Sequence, residues 1–412
     1  MAKIFCLIFY GFVFISILSF SNIDAVVITP VTNISMLGGQ YFFKTEPGSF
    51  GGNIDLFFTP VINFTPDNAL LPICTFTYRG TKDVQELVGG GTLTQETADL
   101  GISLKYVNKF SDTLKGKIKT GYKFEYLKET KDEEWTKGLF DYNKIIVGLE
   151  LEKLLGSGNL LLGYDYYQMK YPNYSSLVSE YGTTIDTTTY SEISQNAGKN
   201  VLDYNTNDIF VEFIHNCSET TSIKFNYDLA YKYFVDQKIV TEQGKFGTDK
   251  RNDLVHYLGA GINRILNKKN NIIDITDSIT VYTSNQNSYD ANNTKFIPDF
   301  YGFIQNNFTP SLKICFGNIQ NPNIINFYFD IAYRQYTGRL AQDPSGIYKS
   351  EKIHQTTTTL GLSLSFPVSS IKGLTAKISS NYRTTESNMK YEKNYRYNYY
   401  VTNYFVGLEW RN

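Results

Sequence analysis

The most regular feature of this chain is an alternation of apolar and polar residues along many of its segments. In SIKFNYDLAYKY (222–233), aliphatic or aromatic residues occupy every second position, and polar, charged or alanine residues lie between them. IINFYFDIAYR (324–334) and KIKTGYKFEY (117–126) follow nearly the same pattern. A period of two residues predicts β-strands with one apolar and one polar face. Less regular copies lie at 99–106, 144–151, 159–167, 208–214, 254–265, 272–283, 303–316, 359–366 and 374–383.

The connections between these segments are of two alternating kinds. Short turns are predicted near 108–113, 153–158, 216–221, 267–271, 318–322 and 367–372. Longer polar loops are predicted near 128–139, 169–205, 235–251, 284–300, 337–355 and 384–397. With earlier strands at 38–45, 51–63 and 70–80, the count is about 16, and both termini of the chain lie on the short-turn side. An even count with this asymmetry is typical of outer-membrane barrels, which have short periplasmic turns and long extracellular loops.

The alternative all-β fold is a soluble sandwich, and strand length argues against it. Sandwich strands are short and their inner faces are mainly aliphatic. Here an apolar face continues for five or six positions, as expected of strands of about 9–11 residues that cross a bilayer at a tilt. The predicted fold class is therefore all-β, a transmembrane antiparallel β-barrel of about 16 strands.

Aromatic residues at the ends of the apolar faces support a membrane-spanning barrel. Two such sets, one at each end of the strands, correspond to the aromatic girdles at the two membrane interfaces. The extracellular set comprises Tyr126, Tyr166, Tyr233, Tyr333 and Tyr382, and the periplasmic set comprises Tyr106, Phe316, Phe366 and Trp410.

The last strand, NYFVGLEW (403–410), carries Tyr404, Val406, Leu408 and Trp410 at alternate positions. In this it resembles the closing strand of porin-like bacterial outer-membrane β-barrel proteins. The family usually ends on the aromatic residue itself, whereas Arg411 and Asn412 follow here. The resemblance implies location in the bacterial outer membrane and recognition of the last strand by the barrel assembly machinery. DYNKIIVGLELE (141–152) also resembles barrel porins associated with surface-polysaccharide export.

Composition and the amino terminus agree with secretion. Lys3 precedes an apolar run that ends near SNIDA, which predicts a signal peptide over 1–25. We expect a short periplasmic segment over 26–37 and the barrel over 38–412. The 39 basic and 40 acidic residues nearly cancel, so nucleic acid is not an expected partner. The widely spaced Cys74, Cys217 and Cys315 predict neither a disulfide framework nor a zinc site.

A barrel of about 16 strands is too wide for side chains to fill, so the fold predicts an aqueous pore. Charges of both signs on the inward positions predict weak ion selectivity. Lysines between 115 and 123 form the best candidate for an anion-attracting patch. The candidate pore-lining residues are Lys117, Lys119, Lys123, Glu125, Lys144, Glu150, Asp165, Lys224, Asp228, Lys232, Asp330, Arg334, Lys377 and Arg383.

Three classes of function follow from this interpretation. The first is passive diffusion of small hydrophilic solutes, with outer-membrane lipid as surroundings and a homo-oligomer left open. The second is a surface adhesin or a component of polysaccharide export, for which loop 169–205 is the candidate region. The third, a barrel enzyme, has only His215, His256 and His354 available and no visible acidic partner for them. We therefore predict no enzymatic activity, no cofactor and no metal site.

Overall fold

A computed structural model describes residues 26–87, 90–174, 200–266, 270–291, 293–392 and 396–412, so the predicted signal peptide lies outside the described residues. The described residues form β-strands and their connections. A helix long and apolar enough to cross a membrane is not found among them. The strands are β1 (Val27–Phe43), β2 (Ser49–Thr65), β3 (Asn68–Arg79), β4 (Asp83–Leu87), β5 (Gly90–Thr94), β6 (Glu96–Ser111), β7 (Leu114–Lys128), β8 (Tyr142–Leu155), β9 (Gly158–Lys170), β10 (Tyr204–Ser218), β11 (Thr221–Val240), β12 (Phe246–Ile265), β13 (Ile272–Ser284), β14 (Ser288–Asp290), β15 (Lys295–Ile297), β16 (Phe303–Phe316), β17 (Asn323–Gln342), β18 (Tyr348–Pro367), β19 (Leu374–Ser387) and β20 (Tyr399–Arg411).

Sixteen of these strands form one closed antiparallel barrel, in which each strand pairs with its neighbours in the chain and β20 pairs with β1. The predicted strand number is confirmed. When the paired residues are followed from strand to strand once around the barrel, the path returns to β1 about 20 residues away from its starting point. A displacement of this size means that the strands are strongly tilted relative to the barrel axis. The remaining four strands form two small hairpins, β4–β5 and β14–β15, within the connections on the extracellular side.

The alternation along the strands separates an outer apolar belt from a polar interior. Ile118, Leu149, Val406 and Leu408 are each more than half exposed, as expected for side chains that contact lipid rather than a protein core. The nine predicted interface aromatics all lie on this outer face. Tyr106, Phe316, Phe366 and Trp410 are near the short turns, and Tyr126, Tyr166, Tyr233, Tyr333 and Tyr382 are towards the long loops.

The structure differs from the predicted boundaries in two places. The barrel begins at Val27 rather than at residue 38, because residues 27–37, predicted as a periplasmic segment, pair with residues 53–63 of β2. The loops predicted over 235–251 and 337–355 are mostly strand. There β11–β12 and β17–β18 continue as hairpins beyond the barrel, with register shifts. These extensions need no lipid-facing side, so they lack the alternation that marks the spanning part.

Two glycines allow the barrel to close between β1 and β20. A Cβ atom at Gly39 would lie 1.9 Å from the carbonyl oxygen of Tyr404, and one at Gly407 would lie 1.9 Å from that of Met36. Gly38, next to Gly39 on the outer face, has nothing within 4 Å of the same position. The β1–β20 pair, which is the closing seam of the barrel, therefore requires glycine on its inner face but not on its outer face.

We expect Gly39→Ala to lower the free energy of unfolding by about 1–3 kcal/mol, because the added methyl group forces the two seam strands apart. Gly38→Ala is the matched control and should change it by less than about 0.5 kcal/mol. Urea titration of the refolded barrel, followed by tryptophan fluorescence and heat-modifiable migration, measures both. Equal stabilities of the two variants would contradict this account of the seam.

The charged barrel interior

All 14 predicted pore-lining residues lie on the inner face of the barrel. Residues directly opposite on neighbouring strands point to the same side of a sheet, so the inner face can be followed from strand to strand through the paired residues. Lys119 is opposite Lys105, Lys117 is opposite Glu150, and Asp165 is opposite Asp208. The structure thus gives the position of these residues, and their role in conduction remains a prediction.

On the wall formed by β6–β9, the lysines predicted as an anion-attracting patch are neutralised by carboxylates. Buried Glu150 lies 3.1 Å from Lys105, 3.5 Å from Lys117 and 3.3 Å from Lys119. Lys117 also reaches Glu152 at 2.8 Å, and Lys119 reaches Asp165 at 2.7 Å. The patch is therefore a compensated network centred on Glu150 rather than a row of free cations.

The other predicted charges have varied surroundings. Lys123 pairs with Glu125 at 2.9 Å, Lys224 with Glu212 and Lys377 with Glu409, while Asp330 accepts a hydrogen bond from Thr309. Two lysines lie over aromatic rings instead. Lys144 is 3.8 Å from the centre of the Tyr167 ring, and Lys232 lies near the Tyr204 and Tyr282 rings. Asp228 lies on the same inner face of β11, four residues before Lys232.

The opposite wall, from β13 to β19, carries fewer charges and is lined mainly by hydroxyl and amide groups. The residue pairs place on its inner face Thr276, Ser278, Thr280, Gln305, Asn307, Thr309, Ser311, Gln355, Thr357, Thr359, Ser363, Ser379 and Asn381. The interior is therefore asymmetric, with a densely charged wall facing a wall that carries mostly uncharged polar groups.

The β4–β5 hairpin, which connects β3 to β6, folds into the barrel and contacts distant strands. Its Glu86 forms an ion pair with Arg334, lies 3.5 Å from Arg339 and accepts a hydrogen bond from the Tyr336 hydroxyl at 3.0 Å. Its Asp83 pairs with Arg383 on β19 at 2.8 Å. Because Arg334 and Arg383 belong to the inner face of β17 and β19, the hairpin extends across the lumen.

Apolar contacts fix the base of this hairpin against the barrel wall. Val84 and Leu93 pack on a buried cluster formed by Phe43, Tyr399 and Val401, which are inner-face residues of β1 and β20. Lys82 pairs with Glu46 at 2.6 Å, and Thr92 donates a hydrogen bond to Glu129 at 2.5 Å. The hairpin is thus held by a packed apolar side, by ion pairs of Lys82 and Asp83 at its base and by those of Glu86 towards its tip.

A second extracellular connection, between β13 and β16, also enters the mouth of the barrel. Arg339 donates a hydrogen bond to the Phe300 carbonyl at 2.7 Å and lies 4.2 Å from the Phe300 ring centre. Fully buried Arg251 lies 3.8 Å from the Tyr301 ring centre and binds both oxygens of Asp253, at 2.9 and 2.7 Å. Arg339 therefore links this connection to Glu86 of the hairpin.

A buried carboxyl group organises the β7–β8 connection at the same mouth. Asp141 accepts hydrogen bonds from the amides of Leu127 at 2.8 Å and Gly138 at 3.1 Å, and from Asn173 at 3.3 Å. Burial raises the pKa of Asp141 to about 6, against the opposing effect of these hydrogen bonds. The amides of Leu127 and Gly138 thus depend on a carboxyl group whose pKa lies above its ordinary range.

Sequence reasoning missed the hairpin and the arginines that hold it. It placed no strand between 80 and 99, although two short segments that flank a Gly-Gly pair are a known hairpin signal. It gave loop 169–205 as the candidate region for surface binding instead. Of that loop, residues 175–199 lie outside the described residues, while Tyr171 and Leu202 at its ends are buried with Tyr204 and Phe234.

The closed sheet, its apolar outer belt and its two aromatic girdles decide the class of protein. The chain folds as a closed antiparallel β-barrel with the architecture of outer-membrane porins. No protein-family model matches the sequence, and no curated protein matches it. Among solved structures it is similar to OccAB1 of Acinetobacter baumannii (9% identity, 95% of this chain and 98% of that chain covered, TM-score 0.47). It is also similar to OmpT of Vibrio cholerae (8%, 95% and 99%, 0.45) and to a bacterial polysaccharide outer membrane secretin (9%, 93% and 98%, 0.44).

We expect Glu86→Gln to speed hydrogen exchange of the β4–β5 amides at least about tenfold, because it removes a charge-assisted contact to two arginines. Deuterium uptake of peptides covering 83–94, followed by mass spectrometry, measures this. Asp112→Asn is the control, since it breaks an exposed ion pair with Lys109 at a periplasmic turn. Unchanged uptake in Glu86→Gln would show that apolar packing alone holds the hairpin.

Proposed function

We propose that this barrel is an outer-membrane channel for passive diffusion of small hydrophilic solutes. The observation that carries the proposal is a closed barrel of 16 strands with a charged and hydroxyl-lined inner face. Barrels of 16–18 strands are wide enough to leave an aqueous channel. A lumen that faced no water would leave these polar groups at a large desolvation cost.

The β4–β5 hairpin supports a channel that selects by size. It carries two carboxylates towards Arg334, Arg339 and Arg383, so solutes would pass a segment flanked by opposite charges. Because these charges pair directly with one another, the hairpin narrows the lumen without adding a net charge, and a narrower lumen favours small solutes. Because Glu150 compensates the lysines of the β6–β9 wall, we infer weak ion selectivity rather than an anion preference.

We further propose that the protein is not an enzyme. His215 Nδ1 lies 3.2 Å from Ser157 Oγ at an exposed periplasmic turn, and His256 contacts the Tyr227 hydroxyl on the outer face. Among the described residues no carboxylate contacts any of these imidazoles, and a hydrolytic triad requires that third group. No group of three or more described His, Cys, Asp or Glu side chains is arranged to hold a metal ion.

The partners follow from the same proposal. Outer-membrane lipid surrounds the apolar belt, and the assembly machinery recognises the last strand through Tyr404, Val406, Leu408 and Trp410. Tyr404, Val406 and Leu408 are exposed on the outer face, where another protein can contact them before the barrel closes. Small hydrophilic solutes are the expected cargo.

Single-channel recording of the refolded mature chain in a planar bilayer tests the function. We expect stepwise openings, and a larger unitary conductance when residues 83–94 are replaced by two glycines, because the hairpin occupies part of the lumen. A folded barrel without conductance in both forms would refute the channel. Binding of glycans or host surfaces by such a closed barrel would instead support the adhesin or polysaccharide-export alternative.

Ion selectivity tests the compensated wall separately. Glu150→Gln should move the reversal potential in a salt gradient towards anions, because three lysines lose their shared counter-charge. Asp112→Asn at the exposed turn provides a charge-matched control and should leave the potential unchanged. If both variants behave like the wild type, the β6–β9 wall does not face the conduction path.

A further inference from the structure

The pairing between β2 and β3 is interrupted near the periplasmic end of the membrane-spanning part of the barrel. Phe58 pairs with Cys74 and Ile62 pairs with Leu70, but the two strands do not pair at the three positions between them, although the register is the same on both sides. Within the spanning part of the described strands, the other interruption lies between β16 and β17 and covers two positions. The β2–β3 break is therefore the longest interruption in the described wall.

Two prolines that face each other account for this break. Thr32 and Asn412 exchange backbone hydrogen bonds, and backbone groups alternate between the two sides of a strand, so the nitrogen of Pro60 on β2 points towards β3. The register places Pro72 directly opposite Pro60. Neither residue has an N–H group, so both hydrogen bonds of this pair are missing. Inside a sheet, proline is otherwise confined to edge strands and bulges.

A third proline in the same row does not break the sheet. Pro30 on β1 pairs with Pro60, and its nitrogen points to the side on which β20 lies. The strand β20 ends at Arg411, opposite Asn33. Among the described residues, no strand therefore loses a hydrogen bond to Pro30, which makes this residue a matched control for the other two.

The lumenal side of the break is apolar, in contrast to the charged and hydroxyl-lined walls. Its inner-face residues are Phe57, Val61, Leu71 and Ile73. Thr59 lies between them, only 5% exposed, and its hydroxyl has no hydrogen-bond partner among the described residues. Because an unpartnered buried hydroxyl costs free energy, a ligand that offers an acceptor oxygen would be stabilised at this position.

The lipid side of the break adjoins the periplasmic aromatic girdle. Leu70, at one end of the break, pairs with Tyr106 of that girdle, and Pro72 pairs with Leu104, which is exposed on the outer face. The girdle marks the depth at which lipid headgroups meet acyl chains. The molecules that meet the break from the membrane are therefore phospholipids of the periplasmic leaflet, each with apolar chains and ester carbonyl oxygens.

We propose that the β2–β3 break is a lateral portal through which an acyl chain of a periplasmic-leaflet phospholipid enters the barrel. The chain passes between Pro60 and Pro72 and packs on the apolar inner-face residues, while the Thr59 hydroxyl donates a hydrogen bond to the ester carbonyl. Separating the strands here costs less than elsewhere, because two hydrogen bonds are already missing. The portal gives apolar molecules a route between membrane and lumen, in addition to the diffusion of hydrophilic solutes.

Photo-labelling of the full-length barrel in nanodiscs, by a phospholipid with a diazirine on one acyl chain, tests the portal. We expect mass spectrometry to find label on the inner-face residues Phe57, Val61, Leu71 and Ile73, which a continuous wall would shield from lipid. Pro60→Val with Pro72→Val restores both hydrogen bonds and should lower this labelling about tenfold. Pro30→Val, the matched control, should leave it unchanged. Label confined to outer-face residues of the wild type, or equal inner-face labelling in the double variant, would overturn the proposal.

A reversible disulfide supplies a second readout that does not depend on the folding of the double variant. Phe58→Cys lies opposite the native Cys74 at one end of the break, in a background with Cys217 and Cys315 changed to serine. Oxidation should lower inner-face labelling about fivefold by holding the strands together, and reduction should restore it. Equal labelling of the oxidised and reduced barrels would reject passage between β2 and β3. Neither assay depends on conductance, so the channel proposal stands or falls separately.

Discussion

The backbone hydrogen bonds of the barrel impose the constraint on which the rest of the structure depends. Hydrocarbon offers no partner for an N–H or C=O group, so a sheet that crosses a membrane must close on itself. The β1–β20 pairing performs this closure over Asn33–Phe43 and Val401–Arg411. Once the sheet is closed, its alternating side chains must divide between lipid and lumen, and the sixteen-strand circumference sets the width of the interior.

Closure also explains where the charges are. A wide lumen permits charged side chains on the inner face, but a charged wall next to low-dielectric lipid favours neighbours of opposite sign. On β6–β9 this produces lysines that share Glu150, Glu152 and Asp165. On the β13–β19 wall, hydroxyl and amide groups line most of the inner face, and Arg334, Lys377 and Arg383 each have a carboxylate partner.

The connections at the mouth of the barrel are arranged differently, because the residue pairing of the barrel strands does not constrain them. The β4–β5 hairpin and the β13–β16 connection enter the lumen, and buried arginines hold them in place. Arg339 contacts both, through Glu86 and through Phe300. Two segments that are about 200 residues apart in sequence are therefore joined by one guanidinium group, whose planar geometry allows an ion pair and ring stacking together.

The alternation of apolar and polar residues determined the all-β class, the number of spanning strands, the inner and outer faces and the position of the aromatic girdles. These features depend on a local period of two residues and on the thickness of the bilayer, and both can be read from a single chain. For this reason the inward placement of Lys119, Glu150 and Arg334 could be predicted one strand at a time.

Tertiary structure alone decided which of these residues meet. The sharing of Glu150 by three lysines depends on the register between β6, β7 and β8, which the periodicity does not specify. The path of the β4–β5 hairpin to Arg334 and Arg383 depends on contacts between residues about 250 and 300 positions apart. The strand extensions beyond the membrane lack a lipid-facing side, so their sequence resembles a loop although their backbones are paired. Period and composition are local quantities, whereas register, loop path and strand extension are set by contacts that exist only after the barrel has closed.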